Sequence, residues 1–255
     1  MLLQEGFRVW GLCRRSDISY YSNVVASSYS HVWWTIDDWT EFLDWAALSG
    51  VNLALAYTGQ EEIFRKTLSE FGVSDEVFGN WSNGAAWLAW SRGQSMHGVG
   101  TSDSEGNPPL SKKWMLDQWV LQRQILAHMR SLGMVSVLPA FQGNVPPLLA
   151  SLFPTANISL QGSGRHYAAW LDALDPLFAK IGDRYMQHLI ADFGTDHWYE
   201  ADGYFSAGSP PWLSERGVHV RMREDDPDPR LVQQAREHGE AAYQAMNRTD
   251  PLAIW

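Results

Sequence analysis

Three times along the chain an apolar stripe at helical spacing runs into a glycine or a short polar turn, and then into a run of β-branched and aromatic residues. Trp39, Phe42, Leu43 and Ala46 form the first stripe, Leu121, Ile125, Met129 and Leu132 the second, and Phe178, Ile181, Tyr185 and Leu189 the third. Steps of three and four residues put each set on one face of a helix, which must be buried. Asp37 at the start of the first helix and Gly50 just past its end are the residues that helix termini favour on electrostatic and conformational grounds. The runs that follow, 51–57, 134–141 and 196–202, show no strict alternation, as expected of strands covered on both faces. An earlier strand is expected within 20–34, and 252–255 opens another after a helical segment at 230–247.

Helices alternating with doubly covered strands predict an α/β fold with a parallel sheet. About five strands are expected where a closed (β/α)8 barrel needs eight, so the chain reads as roughly the first half of a TIM-type barrel. An open doubly wound sheet also accommodates five strands and is the alternative. The expected organisation is a lead-in over residues 1–19 and a partial catalytic barrel domain over 20–255, truncated at its carboxyl end. Long segments, 58–113, 142–171 and 203–229, follow the carboxyl ends of the strands, the end that carries the site in such folds.

Charge and composition narrow the chemistry. With 29 acidic and 19 basic side chains the net charge is −10, so a nucleic acid is not an expected partner. No apolar run approaches the roughly 18–20 residues of a membrane span, and residues 1–11 lack the apolar core of a secretory signal. The single cysteine, Cys13, excludes an intramolecular disulfide. No Walker motif, complete dinucleotide fingerprint or nucleophile elbow occurs, and the eight histidines include no pair at metal-ligand spacing, so neither a cofactor nor a metal is expected. Three N-glycosylation sequons, at Asn80, Asn157 and Asn247, point to a secreted or lysosomal protein. The 14 tryptophans exceed the roughly three or four of an average chain this long; indole faces fill cores and also stack on the apolar faces of sugar rings.

Glu200 and Asp202 close the fourth strand two residues apart, hence on one side of it. Adjacent carboxyls push one pKa upward, which suits a general acid; a structural role against neighbouring backbone or an arginine is the competing reading. Residues 58–62, Thr-Gly-Gln-Glu-Glu, start a helix after the second strand, where acids favour its N-terminus. Phe141, Gln142 and Asn144 follow the third strand, either as a plain turn or as an aromatic and amide surface for a hydroxyl-rich ligand.

Several blocks resemble the α-N-acetylglucosaminidase family, family 89 of the glycoside hydrolases. They are Tyr20-Tyr21-Ser22-Asn23, residues 28–34, Asn52 to Ala56 with Gly59-Gln60-Glu61, Leu88-Ala89-Trp90, Leu138 to Phe141 with Gly143 and Val145-Pro146, and Phe193 to His197. The resemblance runs in order from about Tyr20 to Trp255. It implies a retaining exo-glycosidase barrel that removes terminal α-linked N-acetylglucosamine from glycans such as heparan sulfate, with the rest of the barrel and flanking domains as its structural partners. It also implies substrate contacts for Asn23, Tyr29 and Trp90, and a nucleophile beyond the end of this sequence. The sequence departs from the family after Ala201-Asp202: the family continues Thr-Phe-Asn-Glu, with the glutamate as acid/base, whereas residues 203–209 hold no carboxylate. Val25 stands where many members have cysteine, and Gly164 where some have a pocket tryptophan. Two functions follow from this: an enzyme that recruits Glu200, Asp202 or a later residue, or a glycan-binding relative without hydrolysis. A third possibility is structural, a half-barrel that does not fold without the remainder.

Overall fold

A computed structural model describes residues 17–23, 26–82, 109–161 and 168–201. In chain order these form β1 (Tyr20–Tyr21), α1 (Ile36–Leu48), β2 (Leu53–Leu55), α2 (Gln60–Ser69), α3 (Asp75–Trp81), α4 (Lys112–Ser131) and β3 (Val135–Pro139). They continue with β4 (Asn144–Val145), α5 (Leu148–Leu152), β5 (Ile158–Gln161), β6 (Ala168–Leu171), α6 (Pro176–Phe193) and β7 (Trp198–Glu200). The expected helix at 230–247 and strand at 252–255 lie outside the described residues.

The main sheet has the order β1-β2-β3-β7, and all three pairings are parallel. Strands laid down side by side in sequence order are the arrangement of a barrel, whereas a doubly wound sheet reverses its order midway. The doubly wound alternative therefore gives way to the barrel type.

Local chemistry explains where the helices begin and end. Thr35 and Asp38 cap α1 reciprocally, the threonine hydroxyl accepting from the Asp38 N–H and the aspartate accepting from the Thr35 N–H at 2.7 Å. Gly50 follows that helix with φ +87°, the left-handed position expected for it. Ser111 caps α4, and Asp175 caps α6 ahead of Pro176, whose missing N–H costs nothing in the first turn. The stripe on α4 is one residue set shorter than predicted. Leu132 is the C-terminal cap and 37% exposed, so the buried face ends at Met129.

Segment 142–171 is more than a loop. It builds a second, antiparallel sheet in the order β4-β6-β5. Between the main sheet and α2, α4 and α6 lies the core, where Leu138, Ile181, Tyr185 and Leu189 are fully enclosed. Burial of each of the aliphatic side chains Leu138, Ile181 and Leu189 contributes about 1.5–3 kcal/mol. Glu70 also ties α2 to α6. Arg184 grips it with two nitrogens and His188 adds a third contact, and the Arg184 hydrogen bonds lead in holding its carboxyl down to about 2.

Register assigns each strand residue a face. Tyr21, Ala54, Ser136, Leu138 and Tyr199 share the helix-covered side, as the membership of Ala54, Leu138 and Tyr199 in the core shows. Alternation then turns Tyr20, Leu53, Leu55, Val137, Pro139, Trp198 and Glu200 to the opposite side, the interior of a barrel.

Candidate active site at the carboxyl ends of the strands

Glu200 is the last residue of β7, half-buried and on the barrel-interior face. Its Oε2 accepts a hydrogen bond from the Tyr57 hydroxyl at 2.9 Å and faces the Tyr20 hydroxyl at 3.4 Å. Tyr57 lies two residues beyond β2, so it shares the interior side with Leu55, while Tyr20 comes from β1. Three strands thus contribute to one cluster over the end of β3. The backbone beneath it is fixed: Ala140 N–H donates to the Glu200 carbonyl and Ala56 N–H to the Val137 carbonyl, both at 2.9 Å. Gln122, fully buried on α4, donates to the Ala56 carbonyl at 2.8 Å.

A cavity of about 40 Å³ adjoins this cluster on the helix side of β1 and β2. Tyr57, Asn23, His31, Trp39, Glu61 and Gln122 are among its lining residues. Asn23 spends its Oδ1 on the Ala26 N–H at 3.1 Å, which fixes the turn after β1 and leaves the amide NH2 as the group it can offer. Tyr29 is half-buried in the same turn and is not among the lining residues. Trp90 and Asp202 lie outside the described residues, as does Gly164. Phe141 is 2% exposed and packs among Phe64, Phe178 and Tyr185 in the core, so its ring does not reach a ligand surface. The expectation of a substrate contact for Phe141 is corrected accordingly: the chain turns at Gly143 and folds the ring inward.

The carboxylates expected at the start of α2 are buried, Glu61 at 3% and Glu62 at 2% exposure. Glu62 is neutralised by a two-nitrogen grip from Arg65. Burial first, and the Glu61 charge second, push the Tyr185 phenol up. Gly59 precedes α2 at φ +76°, and a Cβ there would stand 2.9 Å from the Trp119 Cα, so only glycine lets α2 approach α4 this closely. Among the described residues no cluster of three or more metal-ligating side chains occurs, and no helix is long and apolar enough to cross a membrane.

His31 was not singled out by its sequence context. Its ring lies 3.9 Å from Trp34 and 4.9 Å from Trp39, centroid to centroid, and burial lowers its pKa from 6.5 to about 4. The unfolded chain therefore binds the proton that the folded chain refuses between those values. The stability this contributes is complete above pH 6.5 and is lost progressively as the pH falls towards 4. Urea midpoints at pH 7, 5.5 and 4 are expected to fall more steeply for the unmodified protein than for His31→Phe. Equal slopes would show that the ring carries no such linkage.

A sequentially ordered parallel sheet with a phenol-bound carboxyl at the carboxyl ends of its strands defines a barrel-type α/β protein whose candidate site lies at the end where barrel enzymes keep theirs. The chain belongs to the α-N-acetylglucosaminidase TIM-barrel family, whose model matches residues 19–255. It is similar to human alpha-N-acetylglucosaminidase, with 37% identity over 242 residues that cover 92% of this chain and 29% of the human protein. Among solved structures it resembles the family 89 glycoside hydrolase of Clostridium perfringens in complex with 2-acetamido-1,2-dideoxynojirmycin, at TM-score 0.70 and 28% identity, covering 93% of this chain and 25% of that one. A second structure of a Clostridium perfringens enzyme of this family, with two glutamates changed to glutamine and in complex with its substrate GlcNAc-alpha-1,4-galactose, matches at TM-score 0.68 and 28% identity, covering 93% of this chain and 25% of that one. The chain thus spans less than a third of the length of these relatives.

Proposed function

We propose that the protein containing this chain is a retaining exo-glycosidase that hydrolyses terminal α-linked N-acetylglucosamine from glycans such as heparan sulfate. Family membership supports the reaction class, and the substrate named for the bacterial relative supports the terminal sugar. The observation that carries the reading to this chain is the Glu200 carboxyl at the carboxyl end of β7, on the barrel-interior face. Retention requires two carboxyl groups about 5–5.5 Å apart, one acting as nucleophile and the other as acid and then base. Glu200 takes the second role, with Asp202 as the other candidate, and the nucleophile comes from the part of the protein outside this chain. Asn23, Tyr29 and Trp90 contribute to holding the sugar. The sequons fit a secreted or lysosomal setting, and Asn80 is exposed on α3.

A second reading, a glycan-binding relative without turnover, is favoured by the absence of any carboxylate in residues 203–209. Assays of the full-length protein on an activated aryl α-N-acetylglucosaminide and on a natural disaccharide separate the two. Glu200→Gln is expected to lower turnover of the disaccharide by about 10²–10⁴-fold and that of the aryl glycoside far less, because a good leaving group needs little proton donation. Full activity of both Glu200→Gln and Asp202→Asn on both substrates would remove these residues from the mechanism. No turnover by the unmodified protein, with retained sugar binding, would establish the second reading.

A further inference from the structure

Three N-glycosylation sequons among eight asparagines exceed the roughly one that chance spacing of serine and threonine gives. Two of them, Asn80-Trp81-Ser82 and Asn157-Ile158-Ser159, lie within the described residues. Both asparagines are exposed, but their side chains differ in what they do. The Asn157 Nδ2 donates to the Asp172 carboxylate at 2.5 Å, just ahead of β5. Among the described residues Asn80 makes no side-chain hydrogen bond. The packing of α3 explains why it stands open. Phe78, Gly79 and Trp81 are the buried residues of that helix, and the Trp81 ring packs 6.2 Å from Phe64 of α2 and 5.7 Å from Phe78, centre to centre. Glu76, one turn before Asn80, is exposed with it, so the two share the outer side of the helix. Ser82 caps the helix and is buried, with its hydroxyl oxygen closed off from solvent.

We infer that Asn80 carries an N-linked glycan, and that this side of α3 stays open to solvent in the full-length protein. The co-reactant is an oligosaccharide joined through a diphosphate to a lipid, the donor class of the secretory pathway. The Asn80 Nδ2 attacks the anomeric carbon of the donor's first sugar, and the bond from that carbon to the diphosphate breaks. The diphosphate leaves with the electron pair, and Nδ2 gives up one of its two protons. The transferring enzyme reads the asparagine together with the hydroxyl two residues further on. Side chains two apart on a helix do not face the same way, and Ser82 is enclosed once Trp81 has docked on Phe64. Transfer therefore comes before α3 packs. After folding, the glycan remains on the outer side, where it displaces no hydrogen bond of the described residues and no core contact. A bulky, hydrated group at this position keeps other protein surfaces away from it. The remainder of the full-length protein is therefore packed against other faces of this chain.

This inference rests on the secreted or lysosomal setting read from the sequons, and the test keeps the two apart. The full-length protein is produced from its own reading frame in a eukaryotic host. An amidase that releases N-glycans, used in water labelled with heavy oxygen, turns each occupied asparagine into a labelled aspartate for peptide mapping. The label is expected at Asn80 in most molecules. It should appear there when the folded, undenatured protein is treated, since the glycan faces solvent. Asn80→Gln should migrate as a protein with one glycan fewer, and an unchanged mobility would overturn the inference. Label at Asn157 or Asn247 with none at Asn80 would also overturn it while leaving the secretory setting standing. No label at any of the three would remove both. Label at Asn80 that appears only after denaturation would overturn the open face, because another part of the protein would then cover α3. The mapping uses the unmodified protein, so it decides the matter even where Asn80→Gln folds poorly.

Discussion

Gly143→Ala is expected to destabilise the protein far more than Gly133→Ala, although both glycines have positive φ. Gly143 sits at φ +101° between β3 and β4, and a Cβ there would stand 2.7 Å from the Leu171 carbonyl oxygen and 3.0 Å from a ring carbon of Phe178. The contact cannot be relieved by a side-chain rotation alone, because the Leu171 N–H also donates to the Gly143 carbonyl at 2.7 Å. Backbone strain costs about 1–3 kcal/mol and the forced displacement about 1–3 kcal/mol more. Gly133, at φ +71°, has no heavy atom within 4 Å of the same position, so alanine there meets only the backbone term. Urea titration of the two variants measures the difference. Equal losses would mean that segment 142–171 yields where the hydrogen bond between Leu171 and Gly143 implies that it cannot.

Much of this architecture is legible in the sequence where a physical period is repeated often enough. The stripe Phe178, Ile181, Tyr185, Leu189 predicts α6 and its buried face, because an apolar stripe sustained over about three turns leaves no other arrangement. The strands are read from their lack of alternation, and their sequential parallel order follows from the helices between them. The sheet β4-β6-β5 is not legible, since no long apolar helical stripe leads into each of its short strands and marks them out, as one does for β2, β3 and β7. Glu200 is found from its place at a strand end. Tyr57 is missed, because its contact with Glu200 crosses the end of β3 from a strand 143 residues earlier, and no local pattern records such a meeting. His31 and Gln122 are missed for the same reason: their burial is set by what packs over them. Phe141 shows the converse error. Its position after a strand suggests a ligand surface, but Gly182 on α6 leaves a gap that the ring fills, a would-be Cβ lying 3.5 Å from it.

That filled gap sets the size of the second large effect. Phe141 lies 5.0 Å from Phe178, 6.1 Å from Tyr185 and 6.2 Å from Phe64, ring centre to ring centre, and is 2% exposed. Phe141→Ala empties a site bordered by three rings and a glycine. The rings cannot collapse onto it without leaving their own contacts, so the loss should lie at about 3–5 kcal/mol. Phe141→Leu keeps much of the volume and should lose roughly half as much or less. A core residue and a sugar-stacking residue differ in what these variants do to catalysis. With the ring in the core, both variants should lower the urea midpoint in that order while KM for an aryl α-N-acetylglucosaminide stays within about 2-fold in the folded fraction. A ring that stacks on the sugar would instead give Phe141→Leu a near-normal midpoint and a KM raised about 10-fold, the loss of roughly 1.4 kcal/mol of contact that an aromatic face supplies. Measured midpoints and KM values for the two variants therefore decide between a Phe141 that supports β3 from behind and one that touches substrate.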